Sequence, residues 1–290
     1  MSRQYPYGKG PVKWVSTEWL MDHLGDENLV ILDAQPDIHD YIQEHIPGAR
    51  YMNERLLRLP LKGLPGEYIQ PEVFQMLARR MGLRSEVPLV VYSGKGAFRG
   101  WGDGLEQTMM AYSLARFGHG NVLVLDGGIE QWKADGGRLS KEFPRYEESD
   151  FSVHVHREFF VRYVEFKAMK DREDVILLDA RPKALYEGQG PWIRPGHIPG
   201  AVNLPWLDFM HHDNPRLLKT DEEITAILNG KGVKSDKAVV CSCGTGREAT
   251  GLFLLLKWHL GFSRVVIYEG SFTEWTSYPE NPTVTGPNPR

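Results

Sequence analysis

Short apolar runs recur along the chain, each stopped abruptly by a charged or small polar residue. Leu29-Val30-Ile31-Leu32 stops at Asp33, Leu89-Val90-Val91-Tyr92 at Ser93, and Val122 to Leu125 at Asp126. Runs without polar alternation read as strands buried on both faces, with their C-terminal ends emerging at loops. Between them the apolar spacing changes to three and four. Trp19, Leu20 and Leu24 share one helical face behind a Ser16 or Thr17 cap, and Gly25 ends that helix. The pattern predicts further helices over Pro71 to Met81, with Pro71 in the first turn, over Leu105 to Phe117, closed by Gly118, and a short one through Trp132. Strands alternating with helices predict α/β layers around a mainly parallel sheet, with the chemistry in loops at the strand C-termini.

The second half repeats the order of the first. Val175 to Asp179 matches Leu29 to Asp33, and Gly196-His197-Ile198-Pro199-Gly200-Ala201 matches the turn at His45-Ile46-Pro47-Gly48-Ala49. Ala238-Val239-Val240 and the loop after it match the segment from Leu89, and Gly261 to Trp275 matches Gly118 to Trp132. The offset is about 145 residues, so four elements in one order point to a duplicated domain. The stretch from Gly136 to Phe151 is charged and carries Pro144, as a linker should be. We expect domains over 1–140 and 151–290, joined by a linker over 141–150. The tail from Pro279, rich in Pro and Asn, is expected on the surface.

Composition narrows the function more than the fold. A chain of 290 residues is comfortable for two domains. A net charge of −4 and the lack of a basic patch argue against nucleic-acid binding. No apolar run approaches the roughly 20 residues of a membrane span, and the N-terminal residues carry no signal-peptide core, so a cytoplasmic protein is expected. Two cysteines, Cys241 and Cys243, are too close for a disulfide framework and too few for a thiolate metal site. No motif implies a cofactor. The pairs His154/His156, alternating along an expected strand, and His211/His212 lack companion ligands. The glycine-rich segment Gly94 to Gly100 fits neither phosphate-loop spacing and reads as an irregular counterpart of the later loop.

That later loop is where the chemistry concentrates. In Val239-Val240-Cys241-Ser242-Cys243-Gly244-Thr245-Gly246-Arg247-Glu248-Ala249 a strand turns through glycines into a leucine-rich helix. Such a turn aims several backbone N–H groups, and the partial positive charge of a helix N-terminus, at one point. A cysteine there becomes a candidate nucleophile, with its thiol expected below the free value of about 8.5. The N–H groups, the helix end and Arg247 are the expected stabilisers. Gly244 and Gly246 free the backbone. The other reading of Cys243 is a buried structural cysteine. Cys241, at a strand end, is expected to be structural.

The repeated HIPGA turns, Leu177-Leu178-Asp179-Ala180-Arg181, Cys243-Gly244-Thr245-Gly246-Arg247-Glu248-Ala249 and Tyr268 to Trp275 together resemble the tandem-domain rhodaneses, sulfurtransferases of the thiosulfate or 3-mercaptopyruvate type. The resemblance covers nearly the whole chain. It implies two rhodanese-like α/β domains, each a mainly parallel sheet flanked by helices, the first catalytically silent, since its loop from Ser93 has no cysteine. It also implies that Cys243 carries a sulfane sulfur as a persulfide, that residues 243 to 248 form the cradle, and that the partners are a small sulfur donor and a nucleophilic acceptor: cyanide, a thiol or a thioredoxin-like protein.

Asp179 is a candidate to brace the cradle, or only a strand-end turn residue, as Asp33 is. Arg181 is a candidate to neutralise Asp179 or bind the donor. Arg194 is similar in place to an arginine that holds the carboxylate of mercaptopyruvate, or is a surface arginine. Leu185 stands where those enzymes carry another arginine, so thiosulfate is the expected donor and 3-mercaptopyruvate the alternative. His45 and His197 are expected to stabilise turns, and Phe98 and Trp101 to close a cleft between the domains. Two other functions fit parts of the loop. One is a sulfur relay without small-molecule turnover. The other is a phosphatase using Cys241 and Arg247 in C-x5-R spacing, although Val240 stands where such enzymes usually carry histidine.

Overall fold

The computed structural model describes residues 3–61 and 64–290. The first half contains β1 (Val12–Val15), α1 (Thr17–His23), β2 (Val30–Asp33), α2 (Ile38–Gln43), β3 (Arg50–Tyr51), β4 (Arg58–Leu61), β5 (Leu64–Tyr68), α3 (Pro71–Arg80), β6 (Leu89–Tyr92), α4 (Leu105–Arg116), β7 (Val122–Leu125) and α5 (Gly128–Ala134). The second contains β8 (Phe160–Val161), α6 (Tyr163–Met169), β9 (Val175–Asp179), α7 (Lys183–Glu187), β10 (Val202–Asn203), β11 (Met210–His211), β12 (Asn214–Leu218), α8 (Asp221–Gly230), β13 (Ala238–Ser242), α9 (Glu248–Phe253), β14 (Val265–Tyr268) and α10 (Ser271–Ser277).

Each half builds one five-stranded sheet whose neighbours are all parallel, in the order β1-β7-β6-β2-β3 and β8-β14-β13-β9-β10. The central strands of the first half are buried along their whole length, and those of the second half along most of it, as unbroken apolar runs require. The register makes the duplication exact at the loop. Asp33 pairs with Tyr92 in one sheet and Asp179 with Ser242 in the other. Ser93 is therefore the counterpart of Cys243.

Local signals account for the helix boundaries. Ser16 caps α1 by accepting from Trp19 N–H, and Pro71 opens α3. The rings of His45 and His197 place both nitrogens against backbone carbonyls, Tyr41 and Glu142 in one case, Tyr186 and Asn288 in the other. Both histidines thus bind a turn to a later segment. The C-terminal tail does more than lie on the surface: Val284 exchanges two backbone hydrogen bonds with His197, and Asn281 is buried. The segment carrying His154 and His156 is not a strand. It runs without regular structure along the end of α4, bonding its N–H groups to the carbonyls of Phe117 and Arg116.

The halves meet through α4 and α9. Every residue of α4 is buried, including Glu106, Gln107, Thr108, Ser113 and Arg116. Its polar face, which in an isolated domain would meet water, packs on the other half. Tyr112 meets Phe253 edge-on at 5.2 Å between centroids, and Thr108 and Thr250 hydroxyls lie 3.3 Å apart. One apolar core runs continuously through both halves. Among the described residues, no helix is long and apolar enough to cross a membrane.

Candidate active site

The loop from Cys243 to Arg247 joins β13 to α9. Cys243 is wholly buried. The N–H of Gly246 points at its sulfur at 3.0 Å, and the N–H groups of Thr245 and Ala249 also face it. The cradle is held from the α10 side. Cys243 N–H donates to Ser271 Oγ (3.1 Å), Phe272 N–H to Cys243 O (2.9 Å), and Thr273 donates to Gly244 O through both its N–H (3.0 Å) and its hydroxyl (2.8 Å). The Trp192 ring covers Gly244, where a Cβ would come within 3.0 Å of it, and Trp192 Nε1 donates to Thr273 Oγ1 at 3.0 Å. Gly246 lies at φ +84, and a Cβ there would sit 2.6 Å from the carbonyl of Glu269. Only glycine fits.

Ser271 was not legible as a site residue. It is the one non-glycine residue at positive φ (52°) among the described residues, it lies 3.9 Å from Cys243 Sγ, and its hydroxyl donates to Tyr268 O. Such strain commonly marks a functional position. A signal lay in the repeat: the counterpart of Gly270-Ser271 is Gly127-Gly128, so the second half departs from glycine at the same positive-φ turn.

The expected lowering of the Cys243 thiol is not what the folded chain does. Burial pushes it up, the nearby charge of Glu248 pushes it further, and the N–H groups of Ala249 and Thr245 oppose them. Arg247 does not reach the sulfur. Its guanidinium leaves the cradle for three carboxylates of the first half, Glu54 (2.9 Å), Asp103 (2.5 Å) and Glu106 (3.4 Å). Arg247 thus turns to the domain interface, while the charge of Glu248 bears on Cys243.

Asp179 and Arg181 form a buried ion pair, with Arg181 Nη2 2.6 Å from Asp179 Oδ2 and 2.8 Å from Gly196 O. The Arg181 guanidinium lies between the rings of Trp192 and Phe272, so it braces the wall beside Gly244. Arg194 corrects an expectation. Its guanidinium donates to the carbonyls of Thr276, Tyr278, Pro279 and Asn281, past the end of α10, and is spent there. A carboxylate donor finds no free guanidinium in it. Cys241 is buried in the strand, and burial raises its thiol strongly. With Arg247 turned away, no cysteine–arginine phosphate site exists here.

Thr245, like Arg247, faces the domain interface. A cavity of about 270 Å³ above it is lined by Glu54, Arg55, Arg58, Trp101, Asp103 and Arg247. Trp101 therefore does stand at the cleft, whereas Phe98 stacks on His39. The family model for the rhodanese-like domain matches residues 16–135 and 163–278. The chain belongs to the rhodanese family.

This tandem rhodanese is 37% identical to a putative thiosulfate sulfurtransferase of Synechococcus elongatus, over 96% of this chain and 86% of that one. It is 30% identical to the 3-mercaptopyruvate sulfurtransferase of Escherichia coli, over 93% and 96%. Its fold superposes on the crystal structure of the 3-mercaptopyruvate sulfotransferase SseA from Escherichia coli with a TM-score of 0.78 and 29% identity, over 89% of this chain and 98% of that one. It is a sulfurtransferase of the thiosulfate or 3-mercaptopyruvate type.

Proposed function

We propose that this rhodanese moves a sulfane sulfur from thiosulfate to cyanide or a thiol, small or on a thioredoxin-like protein, through a persulfide on Cys243. The observation that carries the reading is Cys243 itself, buried at the head of the loop with the Gly246 N–H 3.0 Å from its sulfur. As Cys243 attacks the outer sulfur of thiosulfate, its proton passes to Glu248. A new sulfur–sulfur bond forms on Cys243, the S–S bond of thiosulfate breaks, and sulfite leaves with the electron pair. The terminal sulfur of the persulfide remains as an anion facing the loop N–H groups. Proton transfer also neutralises Glu248, which removes the one negative side chain beside the nucleophile as the anionic donor reacts. Attack of the acceptor on the outer sulfur returns the electron pair and the proton to Cys243.

Thiosulfate is favoured as donor because a carboxylate donor calls for guanidinium groups, and here those places hold Leu185 and the committed Arg194. The side-chain-free Gly244 under Trp192 favours 3-mercaptopyruvate as the second reading. The first domain, residues 1–140, is proposed to be silent and joined by residues 141–150 to the catalytic domain, 151–290. Ser93 stands in place of Cys243, and Arg216 of the second half occupies its loop, with Nε 3.2 Å from Ser93 Oγ and Nη2 2.9 Å from Gly102 O.

Steady-state thiocyanate formation tests the proposal. Thiosulfate should give the higher kcat/KM, and Glu248→Gln should lower kcat about 100-fold, the ordinary size of lost acid–base catalysis. A higher kcat/KM with 3-mercaptopyruvate would transfer the donor assignment, and full activity of Glu248→Gln would remove the proton acceptor.

A further inference from the structure

The carbonyl of Thr245 and the N–H of Gly246 belong to one peptide group. That group is planar and trans, so its C=O and N–H point in opposite directions. On the inner side the Gly246 N–H meets Cys243 Sγ. On the outer side the Thr245 carbonyl accepts from Nη2 of Arg58, a residue of the other domain. Arg58 is fixed in turn, because its Nε donates to Gly66 O at 2.7 Å within the hairpin β4/β5. Gly66 is what allows this route: a Cβ there would fall 1.8 Å from Arg58 Nη2 and 2.9 Å from Thr245 O.

We propose that Arg58 is a positioning residue of the catalytic loop, by which the silent domain orients and polarises the Thr245–Gly246 peptide toward the sulfur of Cys243. A guanidinium on the carbonyl withdraws electrons from the amide and strengthens its N–H as a donor, as in a hydrogen-bond chain with a charged end. The charge itself stays outside the cradle, so the sulfur receives its help through a backbone dipole and no cationic side chain enters the donor's path. This accounts for a loop arginine, Arg247, that is turned to Glu54, Asp103 and Glu106: the interface holds the loop by two cationic contacts, and only the one at Arg58 acts on the peptide facing the sulfur.

The inference rests on Cys243 being the nucleophile, and the experiment separates the two. Wild-type, Arg58→Met, Arg58→Lys and Gly66→Ala proteins are compared by the pH dependence of Cys243 alkylation with iodoacetamide, read by peptide mass, and by sulfur loading from thiosulfate. Arg58→Met and Gly66→Ala should cut the alkylation rate at neutral pH about tenfold, the effect of raising a thiol midpoint by one pH unit. The same two variants should lower kcat more than they raise KM, and Arg58→Lys should recover part of the loss. Unfolding temperatures identify any variant that fails to fold, and Gly66→Ala and Arg58→Lys then carry the comparison. Wild-type pH profiles in the folded variants would overturn the role of Arg58, even if turnover fell. Failure of wild-type Cys243 to load sulfur would instead strike the reading beneath it.

Discussion

Asp33 and Asp179 end equivalent strands, and the residue two places on decides their fates. After Asp179 comes Arg181, whose guanidinium pairs with it in the interior. After Asp33 comes Gln35, which donates through its N–H and side chain but carries no charge. Tyr92 adds a 2.5 Å hydroxyl contact, yet burial dominates and pushes Asp33 up to about 6. The sign follows from proton linkage. Folded Asp33 keeps its proton to about pH 6, whereas the unfolded chain releases it near 4. The stabilisation is complete below pH 4, is lost between 4 and 6, and above that leaves a cost of ~3 kcal/mol. Asp33→Asn should therefore raise Tm by a few degrees relative to wild type at about pH 7.5, with the difference shrinking toward pH 4. A difference that does not change with pH, measured by calorimetry across that range, would assign the effect to packing. Asp179→Asn should instead lower Tm, because removing one partner strands the buried Arg181.

The catalytic loop is the element on which local and distant constraints meet. Gly246→Ala would force a Cβ against the Glu269 carbonyl at a positive φ, so the N–H at the sulfur would be displaced. Turnover should fall about 100-fold, as for loss of one preorganised donor, with Tm little changed. Near-wild-type kcat/KM would show that this N–H is dispensable. The strands, most helices, the paired HIPGA turns and this loop were legible in the sequence, because runs, caps and glycines act over a few residues. The hairpins β4/β5 and β11/β12 were not. Arg58-Leu59-Pro60-Leu61 has no alternation and contains proline, so nothing local announces a strand. Side-chain direction in the site was equally hidden. Arg247 bonds to residues 193 and 144 positions away, and Arg194 to carbonyls more than 80 positions away, so residue type alone could not place either guanidinium. Cys243 stood out in the sequence, but its surroundings did not, since Glu248 reads in sequence as a neighbour of Arg247 while in the folded chain its charge bears on the thiol.

At the scale of the whole molecule, duplication has produced two like sheets with unlike loops, one opening on Ser93 and the other on Cys243. Each half sends an arginine from a hairpin into the other's loop: Arg216 fills the loop at Ser93, and Arg58 holds the loop at Thr245. Arg116 of α4 grips Glu269 beside the cradle at 2.7 Å, with Tyr112 on the same carboxylate. The N-terminal residues strap the assembly together, since Arg3 spans Asp126 and Asp221, Tyr5 donates to Asp126 and Tyr7 to Asp221. The most direct test of the account is the intact mass of the protein after incubation with thiosulfate. Wild type and Cys241→Ser should each gain one sulfur atom and lose it to cyanide, while Cys243→Ser should gain none. Sulfur bound to Cys243→Ser, or none on the wild type, would contradict the persulfide at Cys243.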